Sequence, residues 1–160
     1  MNLRLAAFVS ATAALVLAGC DYSVPLTPAP TRKIERPLLG VWQSRDKDSD
    51  KDDLITVREW DPSSYIVLID HDIYRVFHSD LAGLNLISAQ DINSKERKYS
   101  YFAWRLSAVG NELTLLPVNI EVIPPATKDS AALQKLFWKN RDNPKLFRPP
   151  LIFVRQKPAP

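Results

Sequence analysis

From residue 38 onward, short apolar runs recur along the chain, and polar turn residues separate them. Each run is five to nine residues long, which suits a strand better than a typical helix. The connections are rich in Asp, Pro, Ser, Gly and Asn, the residues that favour turns. The predicted strands are 38–44, 55–60, 65–69, 73–79, 84–88, 99–107, 112–118 and 151–156.

The order of side chains within a run indicates which strand faces are buried. Phe102, Trp104 and Leu106 occupy alternate positions, so they share one face of a strand. Such alternation is typical of an antiparallel sheet with one buried and one wet face. Residues 65–69 have no charged or strongly polar member and predict a strand that is covered on both faces.

A helical pattern occurs over residues 130–140, before the last strand. Leu133 and Phe137 lie four residues apart and predict one buried stripe. Asp129 or Ser130 is suited to cap the first turn. The chain is therefore predicted to be mainly β: an antiparallel meander of about seven strands, forming a curled sheet or a closed or half-closed barrel, with one short helix before the last strand.

The first predicted strand contains Gly40-x-Trp42. This motif resembles the G-x-W of lipocalins and other small calycin-like barrels. The resemblance implies that Trp42 packs across one end of a barrel and that Gly40 lets the chain bend there. The alternative is that Trp42 is an ordinary core aromatic.

The N-terminus has the pattern of an export signal. Arg4 precedes an uncharged apolar stretch, residues 5–18, that is shorter than the roughly 20 residues a membrane helix needs. The stretch ends in Leu17-Ala18-Gly19-Cys20, which resembles the lipobox of bacterial lipoproteins. The resemblance implies cleavage before Cys20 and acylation of that residue. The alternative is an ordinary signal peptide, or a membrane helix, with an incidental cysteine.

The residues after Cys20 bear on where the protein resides. The order of lipobox and L-x-G-x-W resembles that of small proteobacterial lipoproteins and implies attachment to a cell membrane, facing the periplasm. Asp21 favours the inner over the outer membrane, because enteric lipoproteins with Asp at that position tend to remain there. Residues 21–37 contain four prolines and no strand or helix period, and predict an extended tether. The predicted organisation is a signal peptide 1–19, a lipidated cysteine and tether 20–37, a β domain 38–157 and a tail 158–160.

An acidic stretch at residues 48–59 resembles a calcium loop. Four carboxylates fall at EF-hand positions 1, 3, 5 and 12: Asp48, Asp50, Asp52 and Glu59. However, Asp53 stands where the loop needs Gly, and Pro62 would interrupt an exiting helix. A β-hairpin with a solvated acidic tip is the preferred interpretation, and Ca²⁺ binding is a minor alternative.

Composition excludes several classes of function. The chain has 160 residues, a formal net charge of +3 with interspersed signs, and four glycines in no phosphate-binding arrangement. Nucleic acid is therefore not an expected partner, and no cofactor is expected. His71 and His78 are too few for a zinc site, and no nucleophile motif accompanies them. We therefore expect no enzyme activity.

Two hypotheses of function remain. The first is a non-catalytic interaction or accessory module that binds a periplasmic or envelope protein. The second is a lipocalin-like binder of an apolar small molecule, with aromatic side chains around a cavity. The aromatic candidates, which fill the interior under the first hypothesis, are Trp42, Trp60, Tyr65, Tyr74, Phe77, Tyr101, Phe102 and Trp104.

Overall fold

The computed structural model describes residues 22–45 and 54–157. Eight antiparallel strands form a closed barrel in chain order, and the last strand pairs with the first. One helix precedes the last strand, so the predicted fold class is confirmed, and each of the eight predicted runs contributes to one strand. The strands are β1 (Gly40–Ser44), β2 (Leu54–Asp61), β3 (Ser64–Ile69), β4 (Asp72–His78), β5 (Leu86–Asp91), β6 (Tyr99–Leu106), β7 (Glu112–Pro117) and β8 (Leu151–Arg155). Closure leaves these strands no unpaired edge.

The seam between β1 and β8 closes the barrel. Trp42 lies opposite Arg155 across this seam, and Ser44 lies opposite Phe153. On its other edge β8 pairs with β7, where Leu113 lies opposite Phe153. The helical excursion between β7 and β8 therefore returns the chain to a position beside β1.

Alternation along the strands separates an inner from an outer face. Phe102 and Trp104 on β6 point into the barrel, as predicted, and Tyr101 between them packs outside it. The prediction that β3 is covered on both faces is wrong for its outer face, because Leu68 is 37% exposed. A β-sheet buries both faces only where a second layer covers it.

The second layer lies over β5 and β6. Helix α1 (Ser130–Asn140) spans the predicted residues, and the Asp129 carboxylate accepts a hydrogen bond from the Ala131 amide at 2.9 Å, as predicted for the cap. Leu133 and Phe137 are buried with Tyr101 outside the barrel. The domain therefore has two apolar cores, one within the barrel and one between its outer wall and α1.

The segment before the barrel is packed, which corrects the prediction of an extended tether for residues 22–37. Tyr22 is fully buried and exchanges two backbone hydrogen bonds with Tyr99, at 2.8 and 2.9 Å. Further along, the Thr31 amide donates to the His78 carbonyl at 2.9 Å. The prolines prevent regular structure but not packing, because apolar side chains between them enter the outer core. A short 3₁₀ turn, Arg36–Leu38, then leads into β1.

The described residues include no helix that is both long and apolar enough to cross a membrane.

Candidate functional site

The barrel encloses a cavity of about 110 Å³. Every strand except β1 contributes to its lining, and the lining side chains are aliphatic or aromatic. Its aromatic members are Tyr65, Tyr74, Phe102, Trp104 and Phe153. Pockets for drug-sized ligands occupy about 300–1,000 Å³, whereas a dry apolar cavity of about 150 Å³ holds benzene. The space therefore suits a small apolar molecule or part of an acyl chain.

The two ends of the barrel differ. Ile69 and Tyr74, on either side of the β3–β4 turn, line the cavity and remain partly exposed. At the opposite end, the 3₁₀ turn places the buried side chain of Leu38 against the cavity. Within the described residues, which break off between Arg45 and Leu54 at this same end, the cavity is accessible from the end with the β3–β4 turn. We call this the open end and the other the closed end.

Trp42 and Arg155 hold the closed end together. Trp42 is fully buried and its indole N–H donates to the Leu38 carbonyl at 3.0 Å. The Arg155 guanidinium lies 4.2 Å from the Trp42 ring centroid and donates to the carbonyls of Leu39 and Gly110, at 2.8 Å each. A buried Trp42 is what both the G-x-W interpretation and an ordinary core aromatic predict, so this packing does not distinguish between them.

Gly40 is required by the same arrangement. Its φ of +137° lies in a region that L side chains rarely adopt, and a Cβ there would stand 2.8 Å from Nη1 of Arg155. The bend that brings Arg155 onto Trp42 therefore needs glycine at this position.

A buried polar pair lies beneath the cavity. The Tyr65 hydroxyl accepts a hydrogen bond from the Glu35 amide at 2.6 Å and lies 2.8 Å from Nε2 of His78. Burial, assisted by the nearby Arg32 charge, lowers the pKa of His78 to about 4, so the imidazole is neutral at pH 7. Burial raises the pKa of Tyr65 to about 12. Both groups are therefore neutral at pH 7, and the imidazole tautomer decides which of them donates in this hydrogen bond.

Three buried polar side-chain atoms at this end have no hydrogen-bond partner among the described residues: Nε of Arg32, Nδ1 of His78 and Nε1 of Trp104. The His78 and Trp104 rings lie 5.5 Å apart between centroids. Because the His78 ring does not line the cavity, its Nδ1 offers a cavity ligand no contact. The hydrogen-bonded pair of Tyr65 and His78 therefore has a structural role beneath the apolar chamber.

Arg32 covers the Tyr65–His78 pair from the solvent side. Its guanidinium carbon lies 5.4 Å from the Trp104 ring centroid, and its Nε is 2.7 Å from a carboxylate oxygen of Asp80. The contact between Nε of Arg32 and Asp80 is an ion pair without hydrogen-bond geometry. The Glu35 carboxylate forms a second ion pair with the same guanidinium. The proline-rich segment thus closes one end of the barrel instead of spacing it from a membrane.

The residues singled out in the sequence are distributed as follows. Cys20 and residues 46–53, with most of the acidic stretch, lie outside the described residues. The strands that flank the acidic stretch, β1 and β2, pair antiparallel as a hairpin requires, and neither flank is an EF-hand helix. In the described part of the chain, no three His, Cys, Asp or Glu side chains are grouped as metal ligands.

Four of the eight aromatic candidates line the cavity: Tyr65, Tyr74, Phe102 and Trp104. Trp42 fills the closed end, and Trp60 is 56% exposed, which corrects its assignment to the interior. Tyr101 belongs to the outer core. The roles of Arg32 and Arg155 were not predicted from the sequence. They depend on the register of the whole barrel, which determines which residues become their neighbours.

No family model, curated protein or solved structure matches this chain.

Proposed function

We propose that this chain is a membrane-anchored, non-catalytic binding protein of the cell envelope that holds a small apolar molecule in its barrel. The observation that carries the proposal is the cavity of about 110 Å³, accessible at one end and lined by aliphatic and aromatic side chains. No cofactor or catalytic residue takes part in it.

The lining determines the chemistry of the ligand. No polar atom of the described lining faces the chamber: the Tyr65 hydroxyl is engaged with His78 and Glu35, and the unpaired indole N–H of Trp104 is buried away from the chamber. A polar group placed deep in the chamber would lose its hydration without compensation, which costs a few kcal/mol. The ligand is therefore apolar where it is enclosed, and any polar group it carries remains at the open end.

The size of the cavity sets the affinity. Six buried CH₂ groups contribute about 5 kcal/mol at about 0.8 kcal/mol each, which corresponds to a dissociation constant on the order of 0.2 mM. Tighter binding requires contacts beyond the chamber, at the open end. The proposed role is thus reversible uptake of a ligand present at high local concentration, as acyl chains are at a membrane.

Filling the cavity tests the proposal. Ala89 lines the chamber and is buried, so Ala89→Leu places three more carbon atoms inside it. We expect 1-hexanol to shift the NMR signals of the Val67 and Val76 methyl groups in the wild-type protein and to leave them unshifted in the variant. Leu68→Phe enlarges a side chain on the outer face of β3 and should bind 1-hexanol like the wild type. Unshifted methyl signals in the wild type at saturating 1-hexanol would refute the proposal.

The proposed location is the periplasmic face of a cell membrane, with the inner membrane favoured over the outer. Its support is the lipobox Leu17-Ala18-Gly19-Cys20 at the end of an uncharged apolar stretch, followed by Asp21. The expected anchor is an acylated Cys20, because two or more acyl chains hold a protein stably on a bilayer. Cys20→Ala should move the protein to the soluble periplasmic fraction or leave it as a precursor. A processed and membrane-bound variant would contradict the anchor.

A second candidate function, docking to an envelope protein, is favoured by one surface. On the outer face of the β2–β3 hairpin, three large apolar side chains are exposed: Leu54 at 42%, Trp60 at 56% and Leu68 at 37%. Leu54 and Trp60 lie near opposite ends of β2 with the exposed Arg58 between them, so the support for this candidate is the exposure of each side chain and not a continuous patch. A photo-crosslinking residue at position 60 should capture one discrete envelope protein if this candidate is right, and Leu68→Asp should abolish the capture. A β4 position, Arg75, provides the control site for crosslinking.

A further inference from the structure

The chain joins the folded domain very close to the proposed anchor. Tyr22 is the first described residue and is fully buried, and its hydroxyl donates to the Ile123 carbonyl at 2.6 Å. One residue, Asp21, separates it from Cys20, so the two Cα atoms at positions 20 and 22 are at most about 7 Å apart. An acylated Cys20 would therefore hold the domain directly against the bilayer, with little freedom to turn.

Helix α1 packs against the same N-terminal segment. The Ser130 hydroxyl donates to the Pro25 carbonyl at 2.6 Å, and the Gln134 side chain donates to the Leu26 carbonyl at 3.1 Å. Tyr22 belongs to the same buried cluster as Phe137 of α1. The N-terminal segment and the helix therefore form one unit on the outer wall of the barrel.

The outward side of α1 combines basic side chains with an aromatic ring. Lys135, Trp138 and Lys139 are exposed, and Trp138 is 51% exposed. The Arg141 guanidinium lies 5.4 Å from the Trp138 ring centroid. Trp at the level of lipid headgroups, flanked by Lys and Arg, is the composition of a membrane interface. We call Lys135, Trp138, Lys139 and Arg141 the helix face.

Positive charge is concentrated in this part of the chain. Residues 128–148 contain six Lys or Arg and two Asp, a formal charge of +4, whereas the whole chain carries +3. One of the two acids, Asp129, caps the helix, and the other, Asp142, pairs with Arg141 at 3.3 Å. Without this segment the formal charge of the chain is −1, so the segment carries the largest share of the net positive charge, which favours its contact with an anionic surface.

We propose that the helix face lies on the anionic lipid surface to which the chain is anchored, with Trp138 at the depth of the headgroups. The inference rests on the proposed anchoring at Cys20, which supplies the proximity. The helix face supplies the orientation. In this arrangement the outer face of the β2–β3 hairpin stays clear of the membrane contact.

The test uses the protein purified from bacterial membranes with its native N-terminus and reconstituted into vesicles. One set contains phosphatidylethanolamine and phosphatidylglycerol, the other phosphatidylcholine alone, and both have brominated acyl chains that quench nearby tryptophan. We expect about twofold quenching of the Trp138 emission in the anionic vesicles, since Trp at a membrane interface lies near the acyl chains. Trp138→Phe should remove the quenched component, whereas the matched control Trp60→Phe should retain it.

A charge reversal tests the orientation. Lys135→Glu combined with Lys139→Glu should reduce the quenching to that seen in phosphatidylcholine vesicles, and the control Arg58→Glu, on the exposed face of β2, should not. Equal quenching in Trp138→Phe and Trp60→Phe, or no effect of the Lys reversal, would overturn the inference.

Mass spectrometry of the same sample separates this result from the fate of the anchor. An unmodified thiol at Cys20 would refute the anchoring proposal alone. Flotation of that protein with the anionic vesicles then decides the inference: dependence on Lys135 and Lys139 supports it, and no dependence overturns it.

Discussion

At the scale of single residues, we expect the replacement of Arg155 to reduce the free energy of unfolding strongly, because its guanidinium makes several contacts at once. Its guanidinium joins the backbone before β1 to the turn before β7 and covers the buried Trp42 ring. The carbonyls of Leu39 and Gly110 each accept a charge-assisted hydrogen bond, which is about twice as strong as a neutral one. Because β8 is the last strand, this residue also fixes the closure of the barrel.

We expect Arg155→Met to lower the free energy of unfolding by at least about 3 kcal/mol, since hydrogen bonds to a charged group contribute about 1.5–3 kcal/mol each and the carbonyls of Leu39, Gly110 and Pro37 lose their donor. Arg155→Lys should recover little, because an ammonium cannot reproduce the planar fork. Urea denaturation measures both. Arg105→Met, on the exposed outer face of β6, is the matched control and should change stability by less than about 0.5 kcal/mol. Equal stability of Arg155→Met and the control would contradict the role of Arg155.

His78 is the residue whose protonation should affect folding. Its pKa falls from 6.5 in the unfolded chain to about 4 in the fold. A lowered folded-state pKa means that the neutral form is stabilised, so this contribution is present above pH 6.5 and is lost as the pH falls from 6.5 to 4. The pKa of Asp61 is lowered from 3.8 to about 2 by hydrogen bonds from Ser64 and Ser63, so Asp61 stabilises the fold throughout that window and loses its contribution only as the pH falls below 3.8.

We therefore expect stability to decrease between pH 6.5 and pH 4 by up to about 3 kcal/mol on account of His78. In His78→Gln the protein should be less stable at pH 7, because Tyr65 loses its partner, and this part of the pH dependence should be absent. Urea midpoints at intervals between pH 4 and pH 7 measure it. An unchanged slope in the variant would show that His78 is not buried in its neutral form.

At the scale of elements, α1 is amphipathic: of two adjacent aromatic residues, one is buried and the other is exposed to solvent. Phe137 is buried between the helix and the barrel wall, with its ring 6.4 Å from that of Tyr101 between centroids. Trp138, the next residue, is half-exposed. One residue along a helix turns a side chain by about 100°, which is enough to move it from the core to the surface.

This contrast predicts that Phe137→Ala will cost about 3–5 kcal/mol, because it leaves a cavity in the outer core. Trp138→Ala should change the free energy of unfolding by less than about 0.5 kcal/mol in the absence of membrane. Thermal or urea unfolding of the two variants provides a direct comparison on one helix. Similar losses for both would mean that Trp138 contributes to the fold.

The elements differ in how far sequence could predict them. Helix α1 and the strands carry local signals, namely a stripe that contains Leu133 and Phe137, and alternation such as that of Phe102 and Trp104. The segment 22–37 carries the opposite local signal, since its prolines favour an extended chain, and it is packed because distant residues such as Tyr99 and His78 pair with its backbone. Contacts of this range do not appear in any local window of the sequence.

At the scale of the whole molecule, the proposed anchor and the cavity are features of different origin. The anchor is read from the lipobox, and the cavity arises from the closure of eight strands. Closure was one of the predicted outcomes, but the size of the chamber depends on which side chains meet across the barrel, such as Ala89 and Val67, and on strand register. Strand register also decides that Tyr65 meets His78 and that Arg155 lies beside Trp42. Sequence alone could therefore not predict the cavity, this pair or the role of Arg155.

The two proposals concern different parts of the domain. The proposed anchor at Cys20 precedes Tyr22 by two residues, and Tyr22 shares a buried cluster with Phe137 of α1, while the closed end is sealed by Arg32 and Trp42. The chamber is therefore accessible only from the end that carries the β3–β4 turn, within the part of the barrel that is described. A ligand would enter and leave there.

The most direct test of the central claim is the structure of the protein crystallised and exposed to pressurised xenon. Xenon is an apolar probe that occupies dry cavities of about this size. The account predicts a xenon atom inside the barrel, in contact with Val67, Ala89 and Phe102, and its absence in Ala89→Leu. A wild-type barrel without xenon, with its interior filled by side chains, would contradict the claim that this protein holds an apolar ligand.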